Sequence, residues 1–316
     1  ITKTLYMNQS RRNFLKSTSL TAISSPLLTW SMSSCKSSSS ESKKTAIIDD
    51  LSGKAIENFG LQLWTVKEEM AKDPNVDIVY IATPHSHHLE HTLLCLNNKK
   101  AVLCEKAFAM NFKEVQQMIK TSKDTNTFLM EAFWVLFRPK FKKVLELINN
   151  EDLGKLKMVK SDFNFLGEYN PENRLFNIDL GASSLLDVGI YPVFTSLMLL
   201  GKPNQVKTIP QFSPTGSEES ITVFLGHENG STAILNSSFK SEYKNDVELS
   251  FEKGYIKYDR FSNEPILMQT TTKNTLISFD PGPNLGYQFE AQHVMECLDK
   301  HLIESPILPL SLSADL

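Results

Sequence analysis

The chain has 316 residues, 41% of them hydrophobic and 22% charged, and a net charge of −3. That is globular composition with apolar material for about two domains, and without a basic patch nucleic acid is excluded as an expected partner. The four cysteines, Cys35, Cys95, Cys104 and Cys297, form no C-x-x-C pair, so neither a disulfide framework nor a cysteine zinc site is expected.

Ser10-Arg11-Arg12-Asn13-Phe14-Leu15-Lys16 resembles a twin-arginine export signal, and an apolar stretch follows from Leu20 to Trp30. Met32-Ser33-Ser34-Cys35 then precedes a serine-rich tether, a pattern that resembles a lipoprotein signal with Cys35 as the acylated residue. Simple cleavage near Ser34 is the other reading. The apolar stretch is too short and serine-rich for a membrane span. A periplasmic or membrane-anchored protein is expected, or a cytoplasmic one if residues 1–74 are foreign to it.

The fold-bearing pattern begins near Asp73. DIVYIAT (77–83) is short, β-branched and apolar, as a strand buried on both faces must be. Ser86 is placed to cap a helix with Leu89, Leu93 and Leu96 inward. AVLCE (101–105) is the next strand. Asn111 and Glu114 have capping-box spacing ahead of Val115, Met118, Ile119 and Ser122 at helical period. TFLM (127–130) is a third strand. This alternation predicts a parallel sheet with right-handed crossovers. After about residue 150 the pattern changes to a helix over 184–200 and antiparallel signals, with turns at Asn229-Gly230 and Lys253-Gly254. A helix over 289–300, with Val294, Met295 and Leu298 inward, returns near the end.

The pattern is therefore that of an α/β fold, a parallel sheet followed by an α+β domain with an antiparallel sheet.

Ligands of open α/β sheets bind beyond the carboxyl ends of the strands. There the chain offers Thr83-Pro84-His85 and Glu105-Lys106. A lysine near its reference pKa of about 10.4 needs desolvation or a nearby positive charge to work near neutrality. Asp187 and Tyr191 share one helix face; on spacing alone they read as a structural hydrogen bond or as a catalytic pair. His85, His87, His88 and His91 cluster, yet no H-E-x-x-H and no clear third ligand accompany them, so no metal is expected. His85 is placed near the cofactor face and the other three in solvent.

DPNVDIVYIATPHSHH (73–88), CEKAFAMN (104–111), LMEAFWVLFRP (129–139), NRLFNIDLGASSLLDVGIYP (173–192) and GYQFEAQHVMECL (286–298) occur in order. Together they resemble the Gfo/Idh/MocA oxidoreductases, in particular the dihydrodiol dehydrogenase-like branch. The resemblance implies NAD or NADP as cofactor and hydride transfer at a CH–OH group of a sugar, cyclitol or diol. It implies Lys106, Asp187 and Tyr191 as catalytic residues, with Ala107 where the family has proline. Tyr191 would move the hydroxyl proton, and Lys106 would lower its pKa or relay the proton. Thr83, Pro84, His85, Glu105, Lys106, Trp134 and Arg138 would line the cofactor, and Arg174 would touch substrate. A homodimer or higher oligomer through the antiparallel sheet is also implied. The resemblance implies in addition that the parallel sheet is of Rossmann type and incomplete and the antiparallel sheet open, with the divisions 1–44 (signal and tether), 45–140 (partial dinucleotide-binding domain), 141–288 (substrate and dimerisation domain) and 289–316 (returning helix and truncated end).

No G-x-G-x-x-G occurs anywhere in the chain. The segment ahead of Asp73 is short for a leader plus a βαβ unit, which takes at least ~30 residues. Weak or absent NAD(P) binding is the expectation, because that loop gives the pyrophosphate its backbone N–H groups. FGLQLWTVKEEMAKDP (59–74) resembles the first strand of exported sugar phosphate isomerase/epimerase-like barrels. A fusion joined at Asp73-Pro74, or a non-catalytic dimeric binding module, are the alternatives.

Overall fold

Three strands, β1 (Ile78–Ile81), β2 (Ala101–Glu105) and β3 (Leu129–Ala132), form a parallel sheet in that order. The computed structural model in which they are seen describes residues 67–242, 245–282 and 286–316. The export signal, Cys35, the tether and most of the isomerase-like stretch lie outside the described residues. After a short helix α1 (Lys67–Lys72), the crossovers are α2 (His88–Asn97) and α3 (Phe112–Thr125). Val79, Ile81, Val102, Cys104 and Leu129 pack with Leu96, Val115 and Met118 of these helices. Ile78, Tyr80, Leu103 and Met130 face a second core with Phe133 and Phe137. Alternate residues thus serve two separate cores, which is why the strands read as unbroken apolar runs.

The helix boundaries follow local chemistry with two departures. Asn111 Oδ1 accepts from the backbone N–H of Glu114 at 3.1 Å, and Glu114 Oε2 accepts from that of Met110 at 3.1 Å. The reciprocal reach lands one residue ahead of a standard capping box. Ser86 does not cap α2. A 3-10 turn (His85–His87) precedes the helix, His87 is its N-cap, and no side chain caps it. That turn rotates the buried face to His88, His91, Thr92, Cys95 and Leu96, while Leu89 and Leu93 are only half-buried.

The second sheet has eight strands: β4 (Leu156–Asn164), β5 (Gln205–Phe212), β6 (Glu218–Gly226), β7 (Thr232–Ser238), β8 (Asp246–Phe251), β9 (Gly254–Asp259), β10 (Ile266–Thr270) and β11 (Asn274–Ile277). Their order is β11-β10-β9-β8-β4-β7-β6-β5. It is mixed rather than wholly antiparallel, because β4 pairs with β7 in parallel. The chain leaves β4 through a helix and re-enters at the far edge as β5; two hairpin reversals then bring β7 alongside β4 in the same direction.

One face of this sheet packs on α4 (Pro139–Leu147) through Val144, Val159, Val223, Leu235 and Leu249. The other carries a polar ladder, in which Thr222 Oγ1 donates to Asn236 Oδ1 at 2.7 Å and Asn236 Nδ2 to Asp162 Oδ1 at 2.5 Å. Helix α5 (Ile190–Leu200) is wedged between the two sheets. Its Tyr191 and Phe194 belong to the core of the first, and Val193, Leu199 and Leu200 pack against that of the second. A helix in that position must be apolar nearly all round. Helices α6 (Tyr287–Asp299) and α7 (Leu310–Asp315) then return to the parallel sheet, burying Val294, Cys297 and Leu310. Among the described residues no helix is long and apolar enough to cross a membrane.

Candidate active site

β1 runs out at Ala82, which is exposed, followed by half-buried Thr83 and Pro84 and buried His85. Thr83 Oγ1 lies 3.1 Å from His91 Nδ1, and His85 Nδ1 lies 3.2 Å from the carbonyl of Gly181. Gly181 has φ +81°, and an added Cβ there would stand 2.5 Å from Met110 Sδ. Only glycine lets the 178–181 loop press so closely on the strand ends. β2 runs out at Glu105-Lys106. The Glu105 carboxylate accepts from the Tyr80 hydroxyl and, at 3.2 Å, from the Lys106 backbone N–H. Burial pushes the Glu105 carboxyl up.

Lys106 reaches across to the turn that leads into α5. Its Nζ donates to the backbone carbonyl of Asp187 at 2.6 Å and to Asp187 Oδ1 at 3.1 Å. Half-exposed Arg174 puts a second cation 3.0 Å from the same Oδ1. Burial works to raise the Asp187 carboxyl, but the charges of Lys106 and Arg174 prevail and hold it far below the usual carboxylate range. The same ammonium stands 5.5 Å from the centroid of the Tyr191 ring, within cation–π range.

The Tyr191 hydroxyl accepts from Trp134 Nε1 at 3.0 Å. An indole N–H only donates, so the phenol keeps its own proton to give elsewhere. Burial pushes the phenol well up, with the charge of Glu105 adding to it and the Trp134 hydrogen bond working the other way, so the group is protonated at neutral pH. Phe133, Phe163 and Phe261 surround the ring at 5.3, 5.5 and 5.6 Å, and Tyr287 stacks on Trp134 at 4.6 Å.

Asp187 and Tyr191 are mounted on an irregular helix start. Leu185–Gly189 form a π turn that runs directly into α5. Glu218, at the start of β6, clamps the entry: it accepts from Ser183 Oγ at 2.8 Å, Ser184 Oγ at 2.6 Å and the Leu185 N–H at 2.8 Å. Gly189 faces Ser237, and a Cβ added there would lie 2.6 Å from Ser237 Oγ. Gly189→Ala is expected to cost about 1–3 kcal/mol by overpacking, read as a lowered denaturation midpoint at unchanged m-value.

Arg138 follows β3 at the end of a 3-10 turn (Trp134–Phe137). Its guanidinium donates to the carbonyls of Arg260 at 3.0 Å and Phe261 at 3.2 Å and to Asn263 Oδ1 at 3.2 Å, and it lies 5.3 Å from the Trp134 ring. It therefore pins the 260–263 turn against the tryptophan. The histidines are less exposed than expected: His88 and His91 are buried. Both His88 ring nitrogens lie 2.8 Å from carbonyls, of Thr83 and Ala107, and burial lowers its pKa to about 4. His87, Glu90 and His91 bring ligand atoms within 4.8 Å of one another, but Lys67 is bonded to Glu90 and its Nζ lies 3.4 Å from His91 Nε2. Glu90 thus supplies the carboxylate that the sequence did not show beside these histidines, and a lysine ammonium borders the group. Glu218, Tyr80 and Tyr287 had no local sequence signal, since each acts through a partner at least 25 residues away in the chain.

The strand ends suit the nicotinamide side of a dinucleotide. Ala82 leaves an open floor, and Ser86 Oγ in the following turn is buried with no partner among the described residues. Residues that would hold the pyrophosphate before Lys67 lie outside the described residues.

Residues 30–133 match the family model described as an oxidoreductase family with an NAD-binding Rossmann fold, and residues 141–257 match the GFO/IDH/MocA C-terminal domain. The first match runs through Asp73-Pro74, so a fusion at that point is not favoured. The chain is 34% identical over 253 residues to a trans-1,2-dihydrobenzene-1,2-diol dehydrogenase of Xenopus tropicalis, covering 77% of this chain and 76% of that protein. Among solved structures it superposes on an aldose-aldose oxidoreductase from Caulobacter crescentus complexed with glycerol, with TM-score 0.72, 24% identity and coverage of 80% and 77%. A levoglucosan dehydrogenase in complex with NADH and levoglucosan gives TM-score 0.68 at 17% identity, covering 78% of this chain and 76% of that one.

Proposed function

Because the chain belongs to the Gfo/Idh/MocA family of NAD(P)-binding oxidoreductases, we propose that it oxidises or reduces a secondary alcohol of a small diol, cyclitol or sugar, with Tyr191 as the proton carrier. The observation that carries this reading is the convergence on α5. A protonated, buried phenol stands with its oxygen held by Trp134 and its ring 5.5 Å from the Lys106 ammonium. The diol dehydrogenase relative at 34% identity supports the substrate class.

Ala82, Thr83, Pro84 and the Ser86 hydroxyl would receive the nicotinamide and its ribose, with Glu105 and His85 at the margin. The bound dinucleotide supplies a hydride donor or acceptor at ring carbon 4. Tyr191 gives its proton to the substrate oxygen in reduction and takes it back in oxidation. Lys106, fixed by Asp187, keeps positive charge beside that oxygen and favours the alkoxide-like transition state. Trp134 holds the phenol oxygen in one direction, and the surrounding rings keep water from competing for its proton. Arg174 reaches from the half-exposed loop toward substrate hydroxyls.

The test is turnover by the purified chain, followed as NAD(P)H absorbance against a panel of trans-diols, aldoses and cyclitols. No turnover with any of them under either cofactor would overturn the reading. Arg174→Ala is expected to raise KM about tenfold with little change in kcat, the loss of one charge-assisted hydrogen bond of roughly 1.5 kcal/mol.

The assembly and location readings have their own supports. Val206, Ile209, Phe212 and Phe224 are exposed along β5 and β6, an apolar edge suited to a second copy of the chain. Export by the twin-arginine-like leader, with Cys35 lipidated or the leader cut near Ser34, rests on Ser10–Lys16 and the tether. An intact leader on the mature cellular protein, seen by mass spectrometry, would refute it.

A further inference from the structure

His87, Glu90 and His91 read H-x-x-E-H from the end of the 3-10 turn after β1 into the first turn of α2. Positions i, i+3 and i+4 fall on one side of a helix, and the two imidazole rings stack at 5.7 Å with 15° between their planes. One ligand atom from each of the three residues lies within 4.8 Å of the others. The ring of His91 is held from behind. Lys67 Nζ, which only donates, stands 3.4 Å from its Nε2, so Nε2 presents its lone pair to the cluster and the ring proton is on Nδ1. That N–H donates to Thr83 Oγ1 at 3.1 Å. A histidine that ligates a metal through one nitrogen has its other N–H held in the same way. The Lys67 ammonium is bonded to Glu90 and borders His91. A cation is thus already drawn to the point where a carboxylate and a ring lone pair converge.

We propose that His87, Glu90 and His91 form a binding site for a divalent transition-metal ion of the zinc type, which takes the place of the Lys67 ammonium. Two imidazoles and a carboxylate suit zinc, with water in the fourth position. Magnesium takes oxygen ligands and is refused. On a tetrahedral ion with bonds of about 2.0–2.1 Å the ligand atoms stand about 3.4 Å apart, so the three must draw in by at most about 1.5 Å. Their mobility is unequal, which makes this feasible. His91 is buried and is the fixed point; the Glu90 side chain is 62% exposed and swings without disturbing the core. Lys67 gives up a surface ion pair, which contributes little, whereas the ion gains three direct ligands. The site stands whether or not the chain turns over the substrates named above, because none of its ligands is given a part in that reaction.

The test is equilibrium dialysis of the full chain, first stripped with a chelator, against Zn²⁺ alone and against Mg²⁺ alone, with the metal counted per chain. One zinc ion per chain is expected, and no magnesium. Thr83→Val leaves the ligands in place but removes the partner of His91 Nδ1. It should weaken zinc binding by about tenfold, the usual cost of losing the group that orients a ligating histidine. Glu90→Gln and His87→Gln each remove a ligand and should cost more than that. Both change side chains outside the core, and their thermal midpoints in chelator should match the wild type. Lys67→Met deletes the competing ammonium and should tighten zinc binding several-fold, a gain that a misfolded chain would not show. Zinc held equally well by the wild type, Glu90→Gln and His87→Gln is bound elsewhere on the chain and overturns the proposal, as does a wild type that retains no zinc. Binding that fails to tighten in Lys67→Met overturns the exchange of the ammonium for the ion.

Discussion

Tyr191→Phe should lower kcat by about 10²–10⁴-fold, the range for removing one positioned acid–base group, with KM nearly unchanged. The phenol oxygen is the only part of the residue deleted. The ring remains in its cage of Phe133, Phe163 and Phe261, so folding of α5 against both sheets is retained. A cost does remain: Trp134 Nε1 loses its acceptor at 3.0 Å, and an unpaired buried donor is worth about 1–3 kcal/mol. The denaturation midpoint should therefore drop, while the loss in kcat far exceeds what partial unfolding at assay temperature would produce. Trp134→Phe separates the two effects. It keeps the phenol and frees its oxygen, so a smaller kcat loss with a raised KM is expected. If Tyr191→Phe retains more than a tenth of wild-type kcat, another group carries the proton.

Much of this arrangement could be read from the chain beforehand, for identifiable reasons. The parallel strands are short apolar runs separated by helical periods, and a buried parallel sheet leaves no other pattern. Lys106 could be placed because it follows a buried strand directly. Asp187 and Tyr191 could be paired because i, i+4 is a geometric statement about a helix. The failures have equally local causes. The buried face of α2 shifted because the turn His85–His87 rotates the helix start, and a 3-10 turn has no signature distinct from a capped α-helix. The parallel β4–β7 pair depends on where the chain re-enters the sheet, which strand patterns do not encode. Glu218 was invisible because its three donors lie 33 to 35 residues earlier. The donors of Arg138 to the 260–263 turn were likewise invisible, because their acceptors lie more than 120 residues later.

Lys106→Ala should both remove activity and change the acid stability of the protein, and the two effects have different origins. For activity, the variant deletes the positive charge beside the reacting oxygen, so a loss of about 10²–10³-fold in kcat is expected. For stability, Asp187 keeps only Arg174, which is half-exposed. Breaking one side of a buried pair costs about 3–5 kcal/mol; the surviving Arg174 contact places this case toward the lower end. The pH dependence follows from the direction of the Asp187 shift. Burial alone would raise that carboxyl, and the two cations depress it. A group with a depressed folded pKa contributes its full stabilisation above its unfolded pKa of about 4 and loses it as pH falls through the folded value. In the wild type that contribution is intact throughout the neutral range. In the variant it shrinks, because burial now opposes a weaker counter-charge. The gap in thermal midpoint between wild type and Lys106→Ala should therefore be constant from about pH 5 to 8 and narrow below about pH 4, where the wild type progressively loses the same term. Lys106→Met, which restores apolar volume but no charge, should show the same narrowing with a smaller offset. A gap that widens on acidification would mean that the Asp187 carboxylate is not held by Lys106 in solution. The short carbonyl contact would then be the whole of the lysine's anchor.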